Sequence, residues 1–207
     1  MGYVRVNVLY DPLETSEGKR SREEDEATLR RGLAENYHAP MGDPGVRTET
    51  DEKRVLATFR EQGQNAMLAL CEGLSDEQLR QRLVLSLTTI LGMVKHLAYV
   101  ERWWFQDVFE GLDCEYPSSE DDWDADFRIE PGESTNEILE LYRSECAASA
   151  RIIEAHDLDD ISANQTQRPP CTLRWTILHV VEDTARHAGH ADILREQLDG
   201  KTGLGSP

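Results

Sequence analysis

The sequence predicts an all-α protein, a four-helix bundle with long connecting loops. Four long segments carry apolar residues at the three-and-four spacing of amphipathic helices, at about residues 51–74, 86–110, 134–156 and 172–199. A strand-like alternation of apolar and polar residues is convincing only in "YVRVNVLY" near the N-terminus, and no second strand follows to pair with it. Helices without a sheet bury their apolar faces against one another, which favours a bundle.

The first fifty residues differ in composition from the rest of the chain. The segment "ETSEGKRSREEDEATLRRGLAENY" is dense in charge and has too few apolar positions to drive burial. The length of 207 residues suits one domain of ordinary size plus an additional segment. We therefore predict an N-terminal extension over residues 1–50, partly disordered or packed on the bundle, and a bundle domain over residues 51–207.

Charge and cysteine content narrow the function classes. The formal net charge of −18 disfavours a nucleic-acid partner, because phosphate contacts need cations. No run of eighteen apolar residues occurs, and the N-terminus lacks the basic start and apolar stretch of a signal peptide. The four cysteines form no CxxC pair, so the sequence has neither a zinc knuckle nor a thioredoxin-like motif. In a cytoplasmic chain they are most simply reduced thiols. We expect a cytoplasmic protein that engages neither a membrane nor nucleic acid.

Start and stop signals define the first two long helices. The first helix follows Asp51 and is predicted to bury one face, formed by Val55, Leu56, Phe59, Met67, Leu70 and Leu74. Ser75, with Gln78 at the capping-box position, begins a short helix. The second long helix starts near the cluster Ser86–Thr89 and is stopped by Gly111. Its polar sector is narrow, so most of its circumference should be buried; that sector holds Lys95, Arg102 and Gln106.

Start and stop signals also define the helices in the second half of the chain. The connection over residues 111–132 contains glycine, proline, acidic residues and aromatics, and such long connections are often functional. A capping box at Ser134 opens the third helix, which ends near His156. Thr172 caps the fourth helix, and Gly200 closes it.

Polar side chains line one flank of the fourth helix. At about 100° per residue, its core face contains Leu173, Ile177, Val180, Thr184, Ala188, Ala191 and Leu198. Along the edge of that face lie His179, Asp183, His187 and His190. Residues four apart on a helix are neighbours, so Asp183 and His187 can reach one metal ion together. A hydrogen-bonded core histidine and a surface charge pair fit the same spacing, and the pattern alone leaves all of these interpretations open.

A third ligand would have to come from another part of the chain, where the remaining histidines are His38, His96 and His156. His38 lies in the N-terminal extension, and His156 ends the third helix beside an acidic loop. His96 lies in the middle of the second helix, where an imidazole should be buried and needs a partner. This position favours His96 as the third ligand.

Two stretches, "GMVKHLAYVERWWF" and "LHVVEDTARHAGHADILREQLDG", resemble the DinB-like superfamily of damage-inducible four-helix proteins. Within it they look closest to an actinobacterial branch, mostly of unknown function, that is related to mycothiol-dependent transferases. The order of the helices extends the likeness over about residues 51–200. The resemblance implies a DinB-like bundle that binds one divalent metal through a histidine on the second helix and a pair four apart on the fourth.

Carried onto this sequence, the implied ligands are His96, Asp183 and His187, with His190 and His179 in reserve. Relatives carry histidine or glutamate in place of Asp183. The implied metal is zinc, with nickel as the alternative, because three protein ligands leave an open position as in catalytic zinc sites.

The resemblance also implies an activity. Characterised relatives, such as mycothiol-dependent maleylpyruvate isomerase and bacillithiol transferases, use a low-molecular-weight thiol as the nucleophile. We expect metal-dependent S-transfer from a mycothiol-type thiol cosubstrate to a small electrophile, with Trp103 and Arg186 at the substrate. Core packing explains Trp103 equally well, and a surface ion pair explains Arg186.

Other functions fit the same residues. A non-catalytic, stress-related or dimerising bundle would have a structural, degenerate or empty metal site, and the departure at Asp183 speaks for it. A hydrolase would use metal-activated water, but the sequence identifies no general base. Superfamily members often pair through their bundles, so the resemblance further implies a homodimer.

Overall fold

Long helices make up most of the chain that the structure describes. The structure is a computed structural model, which describes residues 49–119, 121–164 and 169–202. The predicted N-terminal extension over residues 1–50 therefore lies almost wholly outside the described residues. Within the described ranges there is no β-strand, only isolated bridges that join Ser119 to Asp122 and Ile161 to Thr172. The all-α prediction is confirmed.

The described residues contain five α-helices, four of them long. In chain order they are α1 (Glu52–Ala69), α2 (Asp76–Leu79), α3 (Ile90–Glu101), α4 (Thr135–Ala155) and α5 (Leu173–Asp199). Each helix has an N-cap residue whose side-chain oxygen accepts a hydrogen bond from a backbone N–H of the first turn. In chain order the N-cap residues are Asp51, Ser75, Thr89, Ser134 and Thr172. The predicted boxes at Ser75 and Ser134 are both present. None of the helices in these ranges is both long and apolar enough to cross a membrane.

The second predicted helix changes its hydrogen-bond pattern halfway along. After α3 the chain continues without a break as a π-helix over Arg102–Phe109. At its end the N–H of Glu110 donates to the carbonyl of Phe105, five residues earlier. The sequence predicted one continuous α-helix, because over eight residues the apolar pattern does not separate 3.6 residues per turn from a wider turn. The predicted stop at Gly111 is present, with φ +73°.

Apolar side chains pack into two clusters along the bundle. One cluster includes Met67 and Leu97, and the other includes Phe105 and Ile177; all four side chains are fully buried. The first cluster joins α1, α3, α4 and α5, and the second joins the π-helix to α4 and α5. The apolar core therefore has two parts, one on each side of the level of His96 and Glu101, where polar groups interrupt it.

Two positions differ from their predicted environments. Phe59, assigned to the buried face of the first helix, is 51% exposed, whereas the neighbouring Arg60 is only 4% exposed. Arg60 lies inside because Glu101 of α3 is buried there and pairs with it at 2.7 Å. Lys95, placed in the polar sector of the second helix, is also buried, because its Nζ donates to the carboxylate of Glu133.

The connection after the π-helix runs back along α3. A Cβ built on Gly92 would lie 2.4 Å from the carbonyl oxygen of Phe127, so only glycine allows this approach. The approach brings Asp126 and Phe127 beside His96, one helical turn beyond Gly92. This connection, predicted to be functional because of its length, thus supplies part of the wall around His96.

Candidate metal centre

Three ligand-type side chains from α3 and α5 meet inside the bundle. His96 comes from the middle of α3, and Asp183 and His187 come from successive turns of α5. Each offers one ligand atom such that all of these atoms lie within 4.8 Å of one another, and no other such group of three is found among the described residues. We refer to these three residues as the metal centre.

Asp183 lies between the two imidazoles. Its Oδ2 is 4.0 Å from Nε2 of His96, and its Oδ1 is 3.6 Å from Nε2 of His187. Both separations are too long for hydrogen bonds. The His96 and His187 rings lie 4.9 Å apart between centroids, at an angle of 64°. The three groups therefore face one another without bonding directly, which leaves room between them for an ion.

His96 is held on its other side by the connection after the π-helix. Its Nδ1 donates to Oδ2 of Asp126 at 2.8 Å, and its ring stacks on Phe127 with centroids 4.0 Å apart. A proton on Nδ1 leaves the lone pair on Nε2, the nitrogen that faces Asp183. Carboxylates commonly orient metal-binding histidines in this way. No regular spacing along the chain links Asp126 to His96, since the two are thirty residues apart.

His187 has the electrostatic character of a neutral ligand. Burial, assisted by the neighbouring His96, lowers the pKa of His187 from its usual 6.5 to about 4. Its Nδ1 is buried and has no hydrogen-bond partner among the described residues. A neutral imidazole presents a lone pair to a cation, whereas a protonated one repels it.

The donor set fits a divalent transition-metal ion. Two imidazole nitrogens and one carboxylate oxygen match the ligands of zinc in three-ligand protein sites, and imidazole also suits nickel. The side chains are 15–21% exposed, so the centre is sheltered but still in contact with solvent. The unbonded spacing of the three groups supports the same fit.

The reserve histidines lie at the edge of the centre. His190 is exposed, with its ring 5.9 Å from that of His187. His179 lies one turn before Asp183 but stacks on Trp175 at 4.9 Å and meets the edge of Trp104 at 4.5 Å. His156, the other histidine weighed on α4, pairs with Glu110 at 2.7 Å instead. His38 lies outside the described residues.

The two predicted substrate residues are placed differently. Trp103 is half-buried in the π-helix, with its ring 5.2 Å from that of Trp104. Trp104 also contacts Trp175 and His179, so an aromatic cluster continues from the turn below Asp183. Arg186 is exposed on the outer side of α5 and pairs with Glu182. Trp103 thus belongs to this aromatic cluster through Trp104, and Arg186 lies on the surface.

Cys114 lies in the connection that was expected to be functional. Burial raises the pKa of its thiol, which keeps it protonated. A thiol that stays protonated is a poor nucleophile, so the structure gives Cys114 no nucleophilic role.

Comparisons with known proteins identify the family to which this chain is similar. The model of a family described as mycothiol-S-transferase matches residues 55–200. A solved structure, titled as that of a conserved protein from Enterococcus faecalis, is 12% identical and has a TM-score of 0.45; the alignment covers 74% of this chain and 100% of that chain. Curated proteins gave no match. The family match spans all four long helices and contains the complete metal centre.

Proposed function

The chain belongs to the mycothiol-S-transferase family, of the DinB-like type, and from this premise we propose that it is a metal-dependent S-transferase. It would transfer a mycothiol-type, low-molecular-weight thiol to a small electrophile. One observation carries the proposal: His96, Asp183 and His187 bring three ligand atoms from two helices within 4.8 Å of one another.

Each residue of the centre would have a defined task. His96 and His187 would bind the ion through neutral nitrogens, and Asp183 would add one negative charge. Asp126 would fix the ring of His96, so that Nε2 stays directed at the site. Phe127 contacts the rings of both histidines and shields them from bulk water.

Aspartate is a suitable acid at position 183 in this bundle. It is one methylene shorter than the glutamate found in relatives, yet its two oxygens lie 3.6 and 4.0 Å from the two histidine nitrogens. The short side chain is matched by the close approach of the rings, 4.9 Å between centroids. This geometry supports binding by Asp183, rather than the degenerate site that the departure from the family pattern suggested.

The open side of the centre is where the chemistry would occur. Three protein ligands leave at least one coordination position for a substrate atom. A bound divalent ion would supply acidity to a coordinated thiol, so that the thiol is present as its thiolate near neutral pH. The chain would supply orientation, through the fixed imidazoles, and a sheltered flank formed by Trp103 and its aromatic neighbours. The carbon–sulfur bond would form as the leaving group departs from the electrophile.

A turnover screen tests this function. The tag-free protein, loaded with zinc or nickel, is assayed with mycothiol, bacillithiol and glutathione against a panel of small electrophiles. We expect turnover with mycothiol that requires the metal and is lost in His187→Gln, while Arg186→Gln retains it. A metal-loaded protein that conjugates none of the thiols would overturn the proposal and favour the non-catalytic bundle.

A further inference from the structure

A cleft of about 220 Å³ adjoins the metal centre through Phe127. It lies between the loop after α2, the start of α3 and the segment that follows Asp126. Phe127 lines the cleft and also stacks on His96, so one residue separates the two sites. The other residues that matter here are Arg80, Arg82, Arg128, Leu87 and Ile129.

The charge inside the cleft is opposite to that of the chain. Three arginines line it and no acidic side chain does, although the sequence has 40 acidic residues against 22 basic ones. A concave surface with one sign of charge concentrates ions of the other sign. Two of the three arginines pair with carboxylates outside the lining, so the positive charge available to a ligand comes mainly from the third.

Arg82 is the arginine whose charge is best placed for a ligand. Its Nε and Nη2 donate to the backbone carbonyls of Ser86 and Leu85, which hold the guanidinium without neutralising it. By contrast, Arg80 pairs with the carboxylate of Asp76. Arg82 therefore combines a fixed position with a positive charge that its two hydrogen-bond acceptors leave intact.

Arg128 contributes less of its charge to the cleft. It pairs with both Asp122 and Glu130, whose carboxylates lie outside the lining. Apolar groups complete the walls, from Leu87, Phe127 and Ile129. The cleft thus offers a cationic group beside an apolar surface.

We propose that this cleft binds a small carboxylate with an apolar or aromatic body. The guanidinium of Arg82 would bind the carboxylate, and the side chains of Phe127, Ile129 and Leu87 would contact the body. Phe127 also contacts the rings of both histidines of the centre, so the ligand would be the electrophile of the transferase. That last identification rests on the function proposed above, whereas anion binding does not.

Calorimetric titration of the tag-free full chain tests the site with benzoate, an aromatic carboxylate, and with inorganic phosphate and benzyl alcohol for comparison. We expect benzoate to bind and Arg82→Gln to weaken it about tenfold, the scale of one lost charge-assisted hydrogen bond. Arg151→Gln, an equal change of charge on the exposed side of α4, should leave the affinity unchanged. Equal affinities in both variants, or binding of phosphate alone, would overturn the proposal.

Two further readouts separate the cleft from the metal centre and from the transferase. Benzoate binding should persist in His187→Gln, and its loss there would place the carboxylate on the ion and refute the cleft. In the turnover assay Arg82→Gln should raise KM for a carboxylate-bearing electrophile and leave that for its neutral ester unchanged. Benzoate binding that depends on Arg82 without any turnover would uphold the cleft and refute the transferase. Turnover indifferent to Arg82 would uphold the transferase and refute the assignment of the cleft's ligand as its electrophile.

Discussion

Two polar clusters lie between α3 and its neighbours, and they differ in how fully they are satisfied. In the first, Arg60 donates to both carboxylate oxygens of Glu101 and to the carbonyl of Cys146, while Gln64 donates to the same carboxylate. We call Arg60, Gln64 and Glu101 the charge cluster. In the second, the metal centre, Asp183 stands 3.6 and 4.0 Å from its two histidines and bonds to neither.

The difference distinguishes a polar cluster that stabilises the fold from a polar cluster that is suited to bind a ligand. A buried network whose donors and acceptors are all paired stabilises one arrangement of the helices, and an open network costs free energy unless something fills it. The charge cluster is closed by the chain itself. In the metal centre, by contrast, the carboxylate and the two imidazoles face one another beyond hydrogen-bond distance, an arrangement that suits ligands of one cation.

The largest effect should come from removing the carboxylate of the charge cluster. Glu101→Ala leaves the charge of Arg60 buried and unpaired, which costs about 3–5 kcal/mol of unfolding free energy. Urea unfolding followed by circular dichroism measures this loss. The control is Glu61→Ala, which removes an exposed glutamate from α1 and should change little. Similar losses in both variants would show that the charge cluster does not hold the fold.

Removing a ligand from the metal centre should lower the affinity for the metal ion. His187→Gln keeps most of the side-chain volume and should weaken zinc binding by more than about 100-fold, because even residues that only orient ligands contribute about 10–100-fold. Competition with a chromophoric chelator measures the affinity. His190→Gln alters the exposed histidine three residues further on and should keep near wild-type affinity. An equal loss in that control would make His190 a ligand.

A smaller loss of metal affinity should follow from removing the carboxylate behind His96. Asp126→Ala frees the imidazole to rotate and should weaken zinc binding about 10–100-fold, with Asp126→Asn between it and the wild type because the amide oxygen still accepts the Nδ1 proton. The d–d spectrum of the cobalt-substituted protein reports the change in coordination. Asp124→Asn, on the same connection but exposed, is the matched control. Unaltered affinity and spectrum in Asp126→Ala would remove this residue from the centre.

The smallest effect concerns acid stability without metal. The pKa of His187 is lowered from 6.5 to about 4, so in that interval the unfolded chain binds more protons than the folded one. The stability contributed by neutral His187 is therefore complete above pH 6.5 and is lost as pH falls towards 4. Urea unfolding in the presence of a chelator at pH 7 and pH 5 should show this slope, and His187→Gln should reduce it. Identical slopes in the two proteins would contradict the assigned pKa.

Sequence patterns predicted those features that depend on neighbours along one helix. Asp183 and His187 followed from their spacing of four, and the helix starts at Ser134 and Thr172 followed from capping chemistry. His96 followed from its position in a helix with little polar surface, and the resemblance to the DinB-like superfamily selected it. The family match confirms that resemblance.

Features that depend on contacts between distant segments were missed. Asp126 and Phe127 reach His96 only because Gly92 admits the backbone of the connection, and no pattern within either segment encodes that approach. The burial of Arg60 depends on Glu101, forty-one residues away, whereas hydrophobic periodicity favoured Phe59. Pairing of charges between helices can reverse the orientation that a single-helix pattern predicts.

X-ray absorption at the metal edge of the tag-free protein tests the central claim most directly, since it measures both the presence of an ion and its ligands. We predict one divalent ion per chain, with scattering from two imidazoles and oxygen ligands, and the loss of one imidazole in His96→Gln. An ion that keeps both imidazoles in that variant, or a chain that binds no stoichiometric ion after loading with zinc or nickel, would contradict the shared site between α3 and α5.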